Sequence, residues 1–175
     1  VVTVGNDDKH TIFIWNWKKG VVESTAKGCN GVPPQVYGVV WNPFGGDEFI
    51  SYGVNHIKWW TKASKTEWVA VTGNFGAAKT HTVQSVCFLP GGTTMSGMPE
   101  GQIAVWKDGK CMRVVRGHAK GGLVTRPDGT QTYNGVRVLR LRSDNKVLLS
   151  AGADGHVIRW DVSSGDLKER RWTFG

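Results

Sequence analysis

Apolar and polar positions alternate through most of the chain in short runs, and in four segments a tryptophan ends one of these runs. The segments are "VTVGNDDKHTIFIW", "FISYGVNHIKW", "TMSGMPEGQIAVW" and "LLSAGADGHVIRW", which end at Trp15, Trp59, Trp106 and Trp160. A period of two, with turn residues every ~8–12 positions, is typical of antiparallel β-strands. The pattern therefore predicts four copies of one β-unit.

The four copies share one internal order. A strand ends at a glycine, a polar turn follows, and a second strand ends at the tryptophan. A further polar turn and strand come next, and three copies have an extra strand in front, as in "VYGVVWNP". We predict repeats at about 1–28, 29–79, 80–116 and 117–175. The segment "GGLVTRPDGTQTYNG", residues 121–135, reads as an inserted loop or hairpin because Pro127-Asp128-Gly129 is a strong turn signal.

Four strands per unit, with Gly-His before and Trp-Asp after, is the WD40 pattern. The fourth copy has both dipeptides, at Gly117-His118 and Trp160-Asp161. We expect an all-β WD40 β-propeller, in which each small sheet buries its faces against its neighbours. A closed propeller has ~4–8 blades. The chain is therefore expected to form a portion of a larger propeller, about three complete blades plus a partial one, with the remaining blades of the parent chain as a partner.

The tryptophan, histidine, serine and aspartate side chains of the repeats are expected to have structural roles. Trp15, Trp59, Trp106 and Trp160 are expected to pack between blades. His118, Ser150, Asp154 and Trp160 are expected to form a hydrogen-bonded WD40 network. The first three are not interpreted as a catalytic triad, because no GxSxG elbow surrounds Ser150. The second copy has Cys29 where this histidine would lie, so we expect packing to hold the degenerate copies. The additional tryptophans, as core residues or binding anchors, are Trp17, Trp60, Trp68 and Trp172.

Charge changes the picture in the second half of the chain. The 175 residues carry a net charge of +8, with +3 in each of the ranges 91–135 and 136–175. Such a surface attracts acidic partners. The candidate residues for an acidic partner are Lys107, Lys110, Arg113, Arg116 and Lys120 around the third outer strand, and Arg137, Arg140 and Arg142 along one later strand. The alternative is that both groups are solvated faces or blunted sheet edges.

Several function classes lack their sequence signatures. No nucleotide-binding, zinc-protease or calcium-loop motif is present, so we expect no catalytic residue, no metal and no cofactor. Cys29, Cys87 and Cys111 are too far apart for a local zinc or redox motif. No apolar run approaches the ~18–20 residues of a membrane span, and no membrane partner is expected. Nucleic acid is an unlikely partner because no recognised binding motif accompanies the basic charge.

Five stretches are more specific than a generic WD40 pattern. They are "VGNDDKHTIFIWNWKKG" (4–20), "VVWNP" (39–43), "GVNHIKWW" (53–60), "GNFG" (73–76) with "TVQSVCF" (82–88), and "GQIAVWKDGKCMRVVRGH" (101–118). Through them the chain resembles the echinoderm microtubule-associated-protein-like family, whose members carry a tandem atypical propeller. The resemblance extends to about residue 120 and more loosely through the fourth repeat, and residues 121–135 depart from it.

The resemblance implies a non-catalytic scaffold that binds tubulin or microtubules. It implies a cytoplasmic, cytoskeletal location, including the axoneme of cilia and flagella. The alternative is a generic WD40 adaptor in a multiprotein complex that does not bind microtubules directly. The start at Val1 rather than at a methionine indicates a piece of a longer protein.

Overall fold

The computed structural model describes residues 1–31, 35–76, 78, 82–119, 123–125, 129, 131–133, 135–163 and 168–170. In these residues the secondary structure is antiparallel β, with one short 3-10 turn at Pro90–Gly92. The chain divides into two compact units, Val1–Gly73 and Asn74–Gly175. No helix in the described part of the chain is long and apolar enough to cross a membrane.

The first unit contains two sheets whose strand order follows the chain. The first sheet has three strands, β1 (Val2–Val4), β2 (Thr11–Asn16) and β3 (Val21–Lys27). The second sheet has four strands, β4 (Val36–Trp41), β5 (Glu48–Gly53), β6 (His56–Lys62) and β7 (Trp68–Thr72). Each strand pairs with the next through a short connection, which is the simplest way to satisfy backbone hydrogen bonds locally.

The second unit contains two four-stranded sheets and a hairpin. The third sheet is β8 (Ser85–Phe88), β9 (Thr93–Gly97), β10 (Gln102–Lys107) and β11 (Lys110–Arg116). The hairpin, β12 (Leu123–Thr125) and β13 (Gln131–Tyr133), lies inside the predicted insertion. The fourth sheet is β14 (Val136–Leu141), β15 (Val147–Gly152), β16 (Val157–Asp161) and β17 (Lys168–Arg170). Each sheet falls within one predicted repeat, although the repeat boundaries themselves stay a prediction.

A two-residue turn fixes the register of the third sheet at its outer edge. Asp108 and Gly109 both have positive φ, 48° and 72°. Two such residues form the type I′ turn that suits the twist of a β-hairpin, and glycine adopts this conformation without steric cost. The turn makes Lys107 and Lys110 direct partners on β10 and β11. Two basic residues are therefore neighbours in the backbone register at one end of the outer strand.

Within each unit, two sheets pack face to face. We call the face with Trp15, Trp60, Trp106 or Trp160 the front of its sheet, and the opposite face the back. In the first unit, Ile12 and Ile14 on the back of the first sheet pack against Phe49 and Trp60 on the front of the second. In the second unit, the back of the third sheet packs against the front of the fourth through a larger cluster that includes Met95, Ile103, Val105, Leu139, Leu148, Ile158 and Trp160. The apolar surface buried at each interface stabilises the fold by about 25 cal/mol per Å².

Candidate functional site

Each of the four sheets contains a hydrogen bond from a tryptophan indole to a hydroxyl on the neighbouring strand. The four donor–acceptor pairs are Trp15 to Thr3 (2.9 Å), and Trp60 to Ser51, Trp106 to Ser96 and Trp160 to Ser150 (2.8 Å each). The three serines are fully buried. A buried indole N–H needs an acceptor, and a hydroxyl on the adjacent strand supplies one without breaking the strand ladder.

The second sheet corrects the sequence alignment by one residue. Trp60, rather than Trp59, is the counterpart of the other three tryptophans, because its indole N–H bonds to Ser51. Trp60 also stacks on Phe49, with ring centroids 5.7 Å apart. Trp59 is buried too, yet it pairs with Ile50 and lies on the back of the sheet. Successive strand residues point to opposite faces, so a shift of one position exchanges the two faces.

In the fourth sheet the bond extends into the four-residue network named from the sequence. Ser150 Oγ lies 2.7 Å from His118 Nε2, and His118 Nδ1 lies 3.0 Å from the Asp154 carboxylate. Asp154 also accepts the backbone N–H groups of Ala119 and His156. With the His118 proton on Nδ1, each donor in the series of hydrogen bonds from the Trp160 indole through Ser150 and His118 to Asp154 has an acceptor. Burial raises the pKa of Asp154, but the hydrogen bonds from His118 and the two N–H groups outweigh it, so the pKa is lowered.

The Asp154, His118 and Ser150 side chains resemble a hydrolase triad only in their order. Ser150 is fully buried, and its hydroxyl already accepts the Trp160 indole N–H. A nucleophile must reach the substrate carbonyl, and this oxygen is beneath the surface. The arrangement can fix the relative positions of β15, β16 and the segment before the hairpin, which is a structural task.

The second sheet has a polar network of its own, which the sequence did not reveal. Ser51 Oγ lies 2.7 Å from His56 Nε2, so a histidine enters the network from the first position of β6. Cys29, at the place of the expected histidine, instead lies 3.4 Å from His10 Nδ1. His10 Nε2 accepts the backbone N–H of Gln35. These hydrogen bonds add to the packing that was expected to hold this copy.

Burial changes the titration of His56. The side chain is buried, and this desolvation, with smaller effects of Lys58 and His10, lowers the pKa of His56 from 6.5 to about 4. The cause is the cost of a charged imidazolium away from water. In the residues that the structure describes, no group of three His, Cys, Asp or Glu side chains could hold a metal ion.

The structure distributes the basic residues of the third sheet along its outermost strand, β11. Lys110 and Arg116 are exposed at its two ends, and Arg113 between them is half-buried. Lys107 is directed away from this strand, because its ammonium donates a hydrogen bond to the Gly91 carbonyl. Lys120 lies outside the described residues. The two exposed ends are about 20 Å apart, since a strand rises ~3.3 Å per residue.

The arginines of β14 do not form one stripe. A register shift between Val136 and Val138 places Arg137 at a bulge. Arg142 follows the strand and pairs with Asp144, and this hydrogen bond lowers the pKa of Asp144 to about 2. Arg140 is exposed on the back of the fourth sheet.

A shallow cavity of about 340 Å³ adjoins the end of β11. Its lining includes Arg116, Ala119, His156 and Ile158, with His118 and Asp154 behind them. The His156 imidazole is half-exposed and lies 3.6 Å from the Asp154 carboxylate. Asp154 already accepts three hydrogen bonds, so its carboxylate is committed within the protein.

Sequence reasoning missed several residues of these networks, although a signal exists for some. Thr3, Ser51 and Ser96 accept tryptophan N–H groups. Each of the two serines lies one or two positions before a glycine, in "SYG" and "MSG", as Ser150 does in "SAG". A search for that serine would have identified Trp60. His56 lies four residues before Trp60, and the fourth sheet also has a histidine at this place, His156, which instead lies beside Asp154.

The chain is similar to solved WD40 structures over almost its whole length. The crystal structure of the RRP9 WD40 repeats matches 97% of this chain and 48% of that one, with a TM-score of 0.68 and 12% identity. No known protein-family profile matches the chain. The fold is that of a WD40 β-propeller, and the predicted fold class is confirmed, with three four-stranded blades and one three-stranded blade.

Within that class, the chain is similar to two groups of curated proteins. It is 27% identical to cilia- and flagella-associated protein 44 of Trypanosoma brucei brucei, over 97% of the chain and 10% of the relative. It is 29% identical to echinoderm microtubule-associated protein-like elp-1 of Caenorhabditis elegans, over 93% of the chain and 17% of the relative. The chain therefore has the fold of WD40-repeat proteins, and its predicted resemblance to microtubule-associated-protein-like proteins is confirmed. It spans less than a fifth of these relatives.

Replacing Ser150 by alanine should destabilise the second unit. The Trp160 N–H and His118 Nε2 would both lose a buried partner, and an unsatisfied buried group costs about 1–3 kcal/mol. We expect Ser150→Ala to lower the free energy of unfolding in urea by about 2–4 kcal/mol. The exposed Ser143→Ala is the matched control and should change it by less than about 0.5 kcal/mol. Equal effects of the two substitutions would contradict the proposed network.

The lowered pKa of His56 predicts a pH-dependent loss of stability. Between pH 6.5 and about 4 the unfolded chain takes up a proton that the folded chain does not. The contribution of the neutral His56 to the free energy of unfolding is therefore fully present above pH 6.5. It is lost as the pH falls toward about 4, by at most about 3 kcal/mol. His56→Gln should remove this part of the slope in denaturation curves measured across that range. A variant slope identical to that of the wild type would contradict the assignment.

Proposed function

We propose that this chain is part of a non-catalytic WD40 scaffold that binds tubulin or microtubules through the exposed basic residues of β11. The observation that carries the proposal is the outer strand of the third sheet, with Lys110 and Arg116 at its ends and Met112 between them. The names of the relatives, microtubule-associated-protein-like and cilia- and flagella-associated, support the choice of partner.

The geometry of β11 suits contact with a protein surface. It is the outermost strand of its sheet. Met112 is 63% exposed, an unusual state for a large apolar side chain at the centre of a strand. Methionine and arginine are enriched in protein interfaces, where an apolar centre is surrounded by a polar rim. The register shift opposite Val105 and Trp106 leaves Met112 without a paired residue and puts Lys110 and Arg116 on opposite faces of the sheet. The exposed apolar residue and the two cations are therefore presented together only along the outer edge of β11.

The charge of β11 suits an acidic partner such as the tubulin surface. Exposed Lys and Arg side chains attract an acidic surface, and dissolved salt screens the attraction over ~10 Å at about 0.1 M ionic strength. The rigid sheet holds the two cations at fixed positions. Binding through them should therefore weaken steadily with added salt.

The same proposal covers location and the remaining partners. A protein with this activity resides in the cytoplasm on the cytoskeleton, including the axoneme of cilia and flagella. Further blades of the parent chain are its intramolecular partners. The proposed task needs no cofactor, metal, membrane or nucleic acid. The competing function is a WD40 adaptor that joins a multiprotein complex without contacting microtubules.

Co-sedimentation of the 175-residue chain with polymerised tubulin across a salt series tests the proposal. We expect pelleting at low salt that fades as salt rises. The double variant Lys110→Glu with Arg116→Glu should lose most of the pelleting, by about tenfold or more in apparent Kd, because two attractions become repulsions.

The control makes the same change of charge elsewhere. Lys19→Glu with Lys27→Glu alters two exposed lysines of the first sheet and should keep most of the binding. If both double variants lose binding equally, net charge rather than β11 is responsible. If the wild-type chain does not pellet at any salt concentration, the adaptor function replaces the microtubule function.

A further inference from the structure

The outer edge of the second sheet differs from the outer edges of the other three sheets. In chain order, each sheet ends at a strand that pairs on one side only, and these strands are β3, β7, β11 and β17. Such an edge presents unpaired backbone N–H and C=O groups, and proteins commonly protect it with charged side chains or a β-bulge. Three of these edges are protected in this way, and the edge of β7 is not.

Charged residues protect the three other outer edges. β3 contains Glu23 and Lys27, and its pairing with β2 has a register shift. β11 contains a lysine and two arginines, and its pairing with β10 has another register shift. All three residues of β17, Lys168–Arg170, are charged. A second strand placed against any of these edges would meet charge or a break in the hydrogen-bond ladder.

The outermost strand of the second sheet lacks both kinds of protection. β7 has the sequence WVAVT, without a charged residue, and it pairs with β6 in continuous register. Val69 is 51% exposed and Val71 is 54% exposed. Valine favours strands because its branched side chain packs well against neighbours on a pleated surface. β7 is therefore a regular, apolar and uncharged edge.

The hydrogen bonds of the second sheet identify the backbone groups of β7 that point outward. Gly73, directly after the strand, donates its N–H to the Ile57 carbonyl on β6. Inward and outward groups alternate along an antiparallel strand, so the N–H and C=O groups of Ala70 and Thr72 point away from β6. β7 pairs with β6 alone, so no strand in the described part of the chain satisfies these outward groups.

The side chains of β7 are complementary to those of a second copy of the same strand. An antiparallel pair centred on Ala70 places Ala70 beside Ala70, and Val69 of each copy beside Val71 of the other. The outward N–H and C=O groups of the two Ala70 residues then bond to each other. Two-fold symmetry requires this kind of self-complementary edge. The same pairing at β11 would instead bring lysine and arginine against lysine and arginine.

We propose that β7 is a self-association edge, at which two copies of the chain pair antiparallel about Ala70. The four strands of the second sheet in each copy then form one continuous eight-stranded sheet. The occupant of the edge is a second copy, because β7 has no charge that could select a charged partner and its own sequence supplies the matching residues. Each copy uses its β7 edge once, so the assembly closes as a dimer.

The size of the contact sets its strength. One pair of short strands buries less than the ~1,200–2,000 Å² of a stable interface, so we expect a weak dimer with a Kd of about 10⁻⁵–10⁻³ M. β7 contains none of the basic residues that we assign to the tubulin contact, so the inference is independent of the proposed function.

Sedimentation equilibrium of the 175-residue chain at concentrations up to about 1 mM measures the pairing. We expect a monomer–dimer equilibrium that added salt strengthens, because salt screens the repulsion between two chains of net charge +8. The tubulin contact should weaken with salt. The opposite salt responses therefore distinguish failure of this inference from failure of the proposed function.

Variants of β7 test the register of the pair. Val69→Lys with Val71→Lys places lysine beside lysine at both cross-strand positions and should weaken the dimer at least about tenfold. Val69→Lys with Val71→Glu places opposite charges at both positions and should keep the dimer. Val69→Glu with Val71→Glu should be monomeric alone and form mixed dimers with the Lys–Lys variant. Near-ultraviolet circular dichroism confirms that each variant is folded.

The control adds the same charge to other outer strands. Val22→Lys with Met112→Lys changes exposed apolar residues of β3 and β11 and should alter the Kd by less than about threefold. Three results would overturn the proposal. The first is a chain that stays monomeric at about 1 mM. The second is equal association of the Lys–Lys and Lys–Glu variants, and the third is a control variant that loses the dimer as fully as the Lys–Lys variant.

Discussion

An indole N–H bonded to a hydroxyl on the neighbouring strand is the interaction on which each of the four sheets depends. It joins the second and third β-strands of a four-stranded blade at a fixed register, and it defines which face carries the tryptophan. In the second and fourth sheets a histidine extends the bond, His56 from the first position of β6 and His118 from the segment before the hairpin. Two different chain positions thus satisfy the same buried serine hydroxyl.

The choice of face determines how the sheets pack. Within each unit, the back of one sheet covers the front of the next, and the covered back is apolar. In the fourth sheet the back-face partners of Leu149 on the two adjacent strands are Arg140 and Arg159.

Repetition made most of the fold predictable from the sequence. The Gly-to-Trp segments identify the strands, and the Gly117-His118 and Trp160-Asp161 pairs identify the fourth-sheet network. The alignment of Trp59 failed for a physical reason. Trp60 follows Ser51 by nine positions, whereas Trp106 follows Ser96 by ten, because the β5–β6 turn is shorter. The counterpart in the second sheet is therefore the second of two consecutive tryptophans. An alternating pattern tolerates no such shift.

The charged residues were found by composition, but their roles depend on tertiary position. Lys107 bonds to a backbone carbonyl, and Arg142 pairs with Asp144, so neither side chain joins the basic residues that were grouped with it in the sequence. The most direct measurement of the central interaction is the NMR spectrum of the tryptophan indoles before and after Ser51→Ala. We predict that the Trp60 indole N–H loses its protection against exchange, with a smaller change at Trp59. The main change at Trp59, with Trp60 unaltered, would contradict the assignment of faces.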